Sequence, residues 1–371
     1  GHTLQHLVIR HAYDAISLES AADVTVAHAQ IAQTTNVGVF ATGTGAYALN
    51  DLRITGPLSL GVVVGDADLN NVPDPGPARA TLTRAIITGA SSYAVKAFLD
   101  HPDGRAVVDH CTFHGNGNAM WTRRQDADAE LVVRDSVLSS NGTWGVYDDG
   151  AVPAEVVHSD VWNHSNNSRN FRNVTPDAGS ISVNPLFVDP AAGDFRLTDR
   201  SAAVGAASDG GDMGALPFDG ARTDALVGIL REDLTLTAAG SPWRVPGDLV
   251  VPAGVTLTVE PGAEVRFAAA DLAKGGEDRD RVELIVFGSL VARGTPEAQP
   301  LFDSERPEPT NADWAGIRLR PGSAGHLLGR LTVRHATAGL SVDTQDPLVI
   351  ERLQVEAVRD AVELPFLHGE R

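Results

Sequence analysis

The stretch AVVDHCTFHGNGNAMW, Ala106 to Trp121, decides how the rest of the chain is read. Val107, Cys111, Phe113 and Met120 are spaced like the inward side of short, bent strands. Asp109, His110, Thr112 and His114 fall between them, and a Gly/Asn corner, Gly115 to Asn118, interrupts the alternation. The pattern is neither an amphipathic helix nor a strand–turn–strand hairpin.

The same phrase recurs along the chain. HLVIRHAYDAI begins at His6, HAQIAQTTNVGV at His28, DLRITGPLSLGV at Asp51, RAIITGASSYAV at Arg84, HCTFHGNGNAM at His110 and DSVLSSNGTWGV at Asp135. SDVWNHSNNSRNF, from Ser159, is a degraded copy. A polar residue is followed three positions on by a large apolar anchor, then by a polar corner, a small residue and an aliphatic. The anchors are Ile9, Ile31, Ile54, Ile87, Phe113, Leu138 and Trp162, with successive differences of 22, 23, 33, 26, 25 and 24 residues. The long step holds the insert Gly65 to Arg79. Short alternating runs at this period predict parallel strands stacked about 4.8 Å apart, with the anchors in an internal column. Asn116, Asn141 and Asn166 fall near one corner and are candidates for a side-chain amide ladder.

This pattern resembles the right-handed parallel β-helix family of secreted bacterial proteins, a pectate-lyase-like solenoid. NPLFVDPAAGDFRL (Asn184–Leu197), Asp209 and DMGAL (Asp212–Leu216) look like the segment that closes such helices, although the phrase between them is degraded to SAAVGAAS. After a linker, SPWRVPGDLVVPAGVTLTVEPGAEVRF (Ser241–Phe267) resembles the opening turn of another β-helix. VFGSLVARGTPEAQPLFDS (Val286–Ser304) and WAGIRL (Trp314–Leu319) continue it. The expected fold is all-β: two right-handed parallel β-helix segments in series, residues 1–217 and 226–371, joined by residues 218–225.

RLTVRHATAGL (from Arg330) and RLQVEAVRDAV (from Arg352) return to the theme of the first half. At an offset of 324 (325 minus 1), Gly325, His326, Leu328, Leu331, Arg334, His335, Ala336, Ser341 and Gln354 match Gly1, His2, Leu4, Leu7, Arg10, His11, Ala12, Ser17 and Gln30. The apolar register places Val333 on Ile9, Val355 on Ile31 and Leu364 on Phe40. Shared Gly-His and Arg-His-Ala at one fixed offset exceed the likeness that any two repeats share. The expectation is a chain that begins within one solenoid and ends at the equivalent place in the next. It is then a slice of a longer tandem array, or its C-terminal end stacks head to tail on another copy.

A net charge of −19 and a pI near 4.9, with only two lysines (Lys96 and Lys274), disfavour nucleic-acid binding. No apolar run is long enough to span a membrane. Cys111 is the single cysteine, which excludes a disulfide framework, and its place in the alternation reads as a small buried hydrophobe.

The polar column three residues before each anchor reads His6, His28, Asp51, Arg84, His110, Asp135 and Ser159. His110, His114 and Asp109 are the weak candidates for acid–base or metal chemistry, against a solvated sheet face. Enzymes resembling this fold use clustered Asp with Ca²⁺ and a basic Arg or Lys, or Asp residues on adjacent turns. Asp148-Asp149 is the best acidic pair here, and it precedes Gly150 and reads more simply as a turn. A second column, Ser17, Phe40, Val63, Lys96, Trp121 and Tyr147, is a candidate stacking platform for sugar rings, with Phe40, Lys96, Trp121 and Tyr147 as its substrate-binding members. Loops folded over these rings are the alternative. In the insert GDADLNNVPDPG, Asp66, Asp68, Asn70 and Asp74 resemble a calcium loop, with a plain Asp/Pro turn as the alternative.

The functional expectation is a secreted or cell-surface bacterial structural or adhesive solenoid. Its modules, or copies of itself, would stack end to end into a filament or stalk and contact polysaccharide. The alternatives are a polysaccharide lyase, hydrolase or epimerase, or a non-catalytic carbohydrate-binding module.

Overall fold

A left-handed residue at the same corner of every repeat of the first unit sets the path of the chain. The structure, a computed structural model, describes residues 1–65, 76–150, 152–165 and 167–364. Its described residues are almost entirely β, with two short 3-10 segments and no α-helix. They divide into two compact units, residues 1–197 with 202–221, and residues 198–201 with 222–371.

In the first unit the repeat strands form parallel sheets in which each pairs with its counterpart one repeat on, and Phe187–Asp189 and Asp194–Leu197 form a separate antiparallel pair. His2–Gln5, Val24–Ala27, Ala46–Asn50, Arg79–Thr83, Arg105–Asp109, Glu130–Arg134, Ala154–Val157 and Val174–Pro176 make one sheet in that order. The twelve-stranded sheet carries two further rows. One is anchored on Val8–Arg10, Gln30–Ala32, Thr112–His114, Val137–Ser139 and Asp160–Trp162. The other contains Asp14–Glu19, Val37–Thr42, Asn118–Arg124 and Val146–Gly150. The long strands Arg53–Val64 and Ile86–Phe98 run through both rows.

The anchors pair in unbroken register: Ile9 with Ile31, Ile31 with Ile54, Ile54 with Ile87, Ile87 with Phe113, Phe113 with Leu138. The seventh anchor is Val161, which pairs with Leu138, and not Trp162, which pairs with Ser139. The cause is a one-residue offset in the degraded repeat, whose corner is His158 rather than Ser159. On the opening stretch, Ala106 and Val108 join the core together with Cys111, Phe113 and Met120, while Val107 lies on the opposite face of its strand. The Cys111 thiol is wholly buried, and burial pushes it up to about 12.

The polar column before the anchors is a column of backbone corners. His6, His28, Asp51, Arg84, His110, Asp135 and His158 all have φ between 42° and 57°. An L-residue pays about 1–2 kcal/mol for that conformation. Each corner recovers a hydrogen bond across the repeat: the N–H groups of His6, His28, Asp51, Arg84, His110 and Asp135 donate to the carbonyls of Ala27, Asn50, Thr83, Asp109, Arg134 and Val157.

Side-chain ladders run parallel to the core. Asn116 Nδ2 donates to Asn141 Oδ1 at 2.9 Å, and Asn141 Nδ2 lies 3.0 Å from His164 Nε2. His164 Nδ1 in turn meets Asn170 Oδ1 at 3.0 Å. The third member is thus His164; Asn166 lies outside the described residues. This network needs Nε2 as an acceptor, and burial accordingly holds His164 down at about 4.

Residues of the closing segment pack on the outer face of the twelve-stranded sheet. Phe195 and Ala215 cover Ile86, and Leu197, Ala203, Ala207 and Met213 cover Val137. Outward residues of these strands are therefore apolar without facing water.

The second unit repeats the scheme. One parallel sheet runs Gly228–Ile229, Leu249–Val251, Glu283–Val286, Trp314–Leu319, Ala336–Val342, Asp360–Glu363. An eight-stranded sheet holds the remaining strands, with Leu327–Arg334 pairing both Ser289–Arg293 and Leu301–Ser304 on one side and Ile350–Glu356 on the other. Phe267 and Trp314 stack face to face in its core at 3.8 Å between centroids.

Truncating the fully buried central anchor, Ile87→Ala, is expected to destabilise the first unit by about 2–5 kcal/mol, because the column is fixed by pairing on both sides and cannot collapse onto the cavity. Urea unfolding of the full chain, followed by a probe in each unit, checks this.

Candidate functional site

Two groups of side chains in the first unit carry chemistry. The first grows from the corner column. His6 and His28 stack with centroids 5.1 Å apart, His28 Nδ1 lies 3.6 Å from Asp51, and Arg84 holds Asp51 through two hydrogen bonds of 2.7 and 2.9 Å. The Arg84 guanidinium pulls the Asp51 carboxyl below its ordinary range. One repeat further, His110 Nδ1 sits 2.7 Å from Asp109 Oδ1, and Arg134 donates to Asp109 Oδ2 at 2.6 Å. Burial pushes the Asp109 carboxyl up, but the hydrogen bonds from Arg134 and His110 outweigh it and leave it below the usual carboxylate range.

Asp109, His110 and Asp135 bring one ligand atom each within 4.8 Å of one another, and His110 Nε2 lies 3.7 Å from Asp209. An imidazole ordered by a carboxylate is the arrangement a general base uses, and two carboxylates with an imidazole suit a divalent cation. The group is also internally satisfied. Arg134 occupies Asp109, and Asp135 accepts from the backbone N–H and the hydroxyl of Ser208. A cation would have to displace both.

His114 does not belong to this group. Its Nδ1 is 2.9 Å from Ser139 Oγ, its ring packs on Phe187 and Phe195, and burial lowers its pKa. Asp148 and Asp149 lie in the strand Val146–Gly150, not in a turn. Asp148 points inward and pairs with the buried Arg124 at 2.9 Å. Burial raises the Asp148 carboxyl against that pairing. Losing either partner strands a charge inside, a loss of about 3–5 kcal/mol, so this pair reads as structural. Asp66, Asp68, Asn70 and Asp74 lie outside the described residues.

The second group is the aromatic column. Ser17, Phe40, Val63, Lys96, Trp121 and Tyr147 pair one to the next in register, and Arg172 follows Tyr147. Phe40 is buried with Val37, Leu60 and Val63, whereas Trp121 and Tyr147 stay half-exposed. Cations lie over the rings: Lys96 Nζ is 5.6 Å from Trp121 and 5.1 Å from Phe98, and Arg172 is 4.4 Å from Tyr147 and 5.7 Å from Trp144. Trp121 and Tyr147 keep part of their surface exposed, in a row of rings and cations at one residue per repeat.

A third group was not singled out in the sequence. In the second unit, Asp248 accepts from the N–H groups of Gly275, Gly276 and Glu283, and Asp271 accepts from those of Asp248 and Ala273. Burial, and then the charge of Asp271, push the Asp248 carboxyl up to about 8. Buried Glu283 pairs with Arg318 beside a recess of about 250 Å³ lined by Val250, Ile285, Phe287 and Arg320. The only sequence signal was the Lys-Gly-Gly turn set among acids, Asp271 to Glu283, whose amides supply the hydrogen bonds.

A carboxyl whose folded pKa is raised binds its proton more tightly in the folded chain than in the unfolded one. Its contribution is fully present below the unfolded value, about 4, and is lost as pH rises toward about 8. The melting temperature of the second unit is expected to fall across that window, and Asp248→Asn to flatten the decline; calorimetry across pH checks it.

Comparison with protein-family models, with curated proteins and with solved structures found no match to the chain.

Proposed function

We propose that the chain is a structural module of a right-handed parallel β-helix array, exported by a bacterium and displayed outside the cell, with no catalytic task of its own. The winding is supported by the pairing: in both units the repeat strands pair in parallel with their counterparts one repeat on, and parallel crossovers are right-handed almost without exception.

One observation carries the modular reading. Residues 325–357 reproduce the backbone of residues 1–33 at the offset of 324. The left-handed residues Arg330, His335, Arg352 and Ala357 stand on His6, His11, His28 and Gln33. The pairs Leu328–Ile350 and Val333–Val355 stand on Leu4–Val26 and Ile9–Ile31. The offset then slips by one residue. Leu340 pairs with Val362 where Ile16 pairs with Val39, so Glu363, not Leu364, stands on Phe40. Two stretches with this likeness are copies of one module, and module copies in one polypeptide build extended solenoids.

A second reading, contact with a polysaccharide, is favoured by the in-register Lys96–Trp121–Tyr147–Arg172 stripe. A panel of acidic and neutral polysaccharides, with and without Ca²⁺, tests both, combined with negative-stain microscopy over a concentration series. Rods that lengthen with concentration and no depolymerisation are expected. Turnover that His110→Ala or Trp121→Ala abolishes in a folded protein would make the chain an enzyme and end the structural reading.

A further inference from the structure

Besides the recess beside Glu283, the second unit holds another of about 350 Å³, lined by Arg200, Arg222, Asp224, Leu230 and Glu232 among others. Every residue lining it belongs to this unit. Three consecutive carbonyls fix the turn that carries Arg200. Arg231 Nε donates to Asp199 O at 2.9 Å, Ile229 N to Arg200 O at 2.9 Å, and Arg231 Nη2 to Ser201 O at 2.6 Å. The Asp199 carboxylate is engaged as well: Thr223 N donates to Oδ1 at 3.0 Å, and Arg222 Nε lies 3.6 Å from Oδ2. Arg222 also donates to Glu232 Oε1 at 2.5 Å.

The Arg200 guanidinium is left out of this network. It is partly buried, its Nη1 is sealed from solvent, and none of its nitrogens makes a hydrogen bond or a close ion pair among the described residues. Arg79, Arg124 and Arg318 also have a buried nitrogen without a partner, yet each is held through another nitrogen, by Thr44 O, Asp148 and Glu277. A buried cation without a partner is unfavourable, because it has lost water and gained no counter-charge at contact. Burial lowers the Arg200 pKa against the nearby charges of Asp199, Asp224 and Glu232. A fixed turn that brings an unbonded guanidinium to a concave site is preorganised for an anion.

We propose that this recess binds a small carboxylate that carries a hydrogen-bond donor beside its acid group, with the carboxylate on Arg200. A guanidinium fork matches a planar carboxylate through two parallel N–H bonds. The rim selects what accompanies the acid group. Asp224 and Glu232 are exposed acceptors, so a hydroxyl or ammonium on the ligand is matched and a second negative charge is repelled. That disfavours a phosphate dianion and admits hydroxy acids, sugar acids and amino acids, which share this chemistry. A volume of about 350 Å³ lies at the small end of ligand sites and suits one such molecule. The site stands independently of the modular reading, since it uses side chains of the second unit alone.

The test is calorimetric titration of the full-length chain with D-glucuronate, L-lactate and L-alanine, beside acetate, D-glucose and inorganic phosphate. Saturable binding of at least one of the first three is expected, several-fold tighter than that of acetate, with glucose and phosphate not bound. The tightest of them tells a sugar acid from a hydroxy acid or an amino acid. Arg200→Gln removes the binding, and Asp224→Asn weakens it several-fold toward the level of acetate. Thermal unfolding supplies a second readout. Without ligand, Arg200→Gln melts no lower than the parent chain, since the guanidinium makes no bond in the fold, and the bound probe raises the melting temperature of the parent alone. A parent chain that takes up none of the three, that binds acetate or phosphate as tightly, or that binds equally well after Arg200→Gln overturns the proposal. So does an Arg200→Gln chain that melts several degrees lower, because Arg200 would then hold the fold and not a ligand.

Discussion

In-register parallel stacking of one repeat on the next governs the rest of the structure. It requires the backbone to bend at the same place in every repeat, and the bend is a left-handed residue whose N–H still reaches the carbonyl of the following strand. Each such residue is unfavourable by itself. It persists because its neighbours above and below make the same bend, so that the hydrogen bond across the repeat, the inward anchor three residues on and the next corner all line up. Every other column in the molecule, whether aliphatic, amide, aromatic or charged, inherits its alignment from this one.

The inherited alignment puts the residues most suggestive of catalysis at corners, among bonded neighbours. His110 and Asp135 occupy corners; Asp109, itself held by Arg134, bonds His110, and Ser208 donates to Asp135. A column of polar residues at one residue per repeat is a sequence of stacked neighbours, in which Asp51 sits between His28 and Arg84 and pairs with both. The aromatic stripe is different. Its rings carry cations over them, and Trp121 and Tyr147 keep part of their surface exposed.

Much of this was legible in the sequence because strand pairing translates sequence spacing into position. Six of seven anchors and the whole Ser17–Tyr147 column were readable from periodicity alone, since the period-2 alternation and the corners recur at intervals of similar length. The misreadings have physical causes. The degraded repeat hid its corner, because His158 rather than a residue aligned with Asp135 by spelling takes the left-handed conformation, and the anchor moved to Val161 with it. His164 took the ladder place assigned to an asparagine because a neutral imidazole nitrogen accepts the same hydrogen bond. Outward apolar residues such as Ile86 and Val137 could not be explained until the closing segment was seen to lie on them. The Asp248–Asp271 pair depends on burial and on loop amides, which no spacing encodes.

The most direct measurement is native-state amide hydrogen exchange at the corners. If the repeats are held in register through left-handed residues, the N–H groups of His28, Asp51, Arg84 and His110 exchange as slowly as those of the buried strands on either side, since each is bonded to the following repeat. Exchange at these positions as fast as in solvent-facing turns would contradict the stacking on which the whole reading of the chain rests.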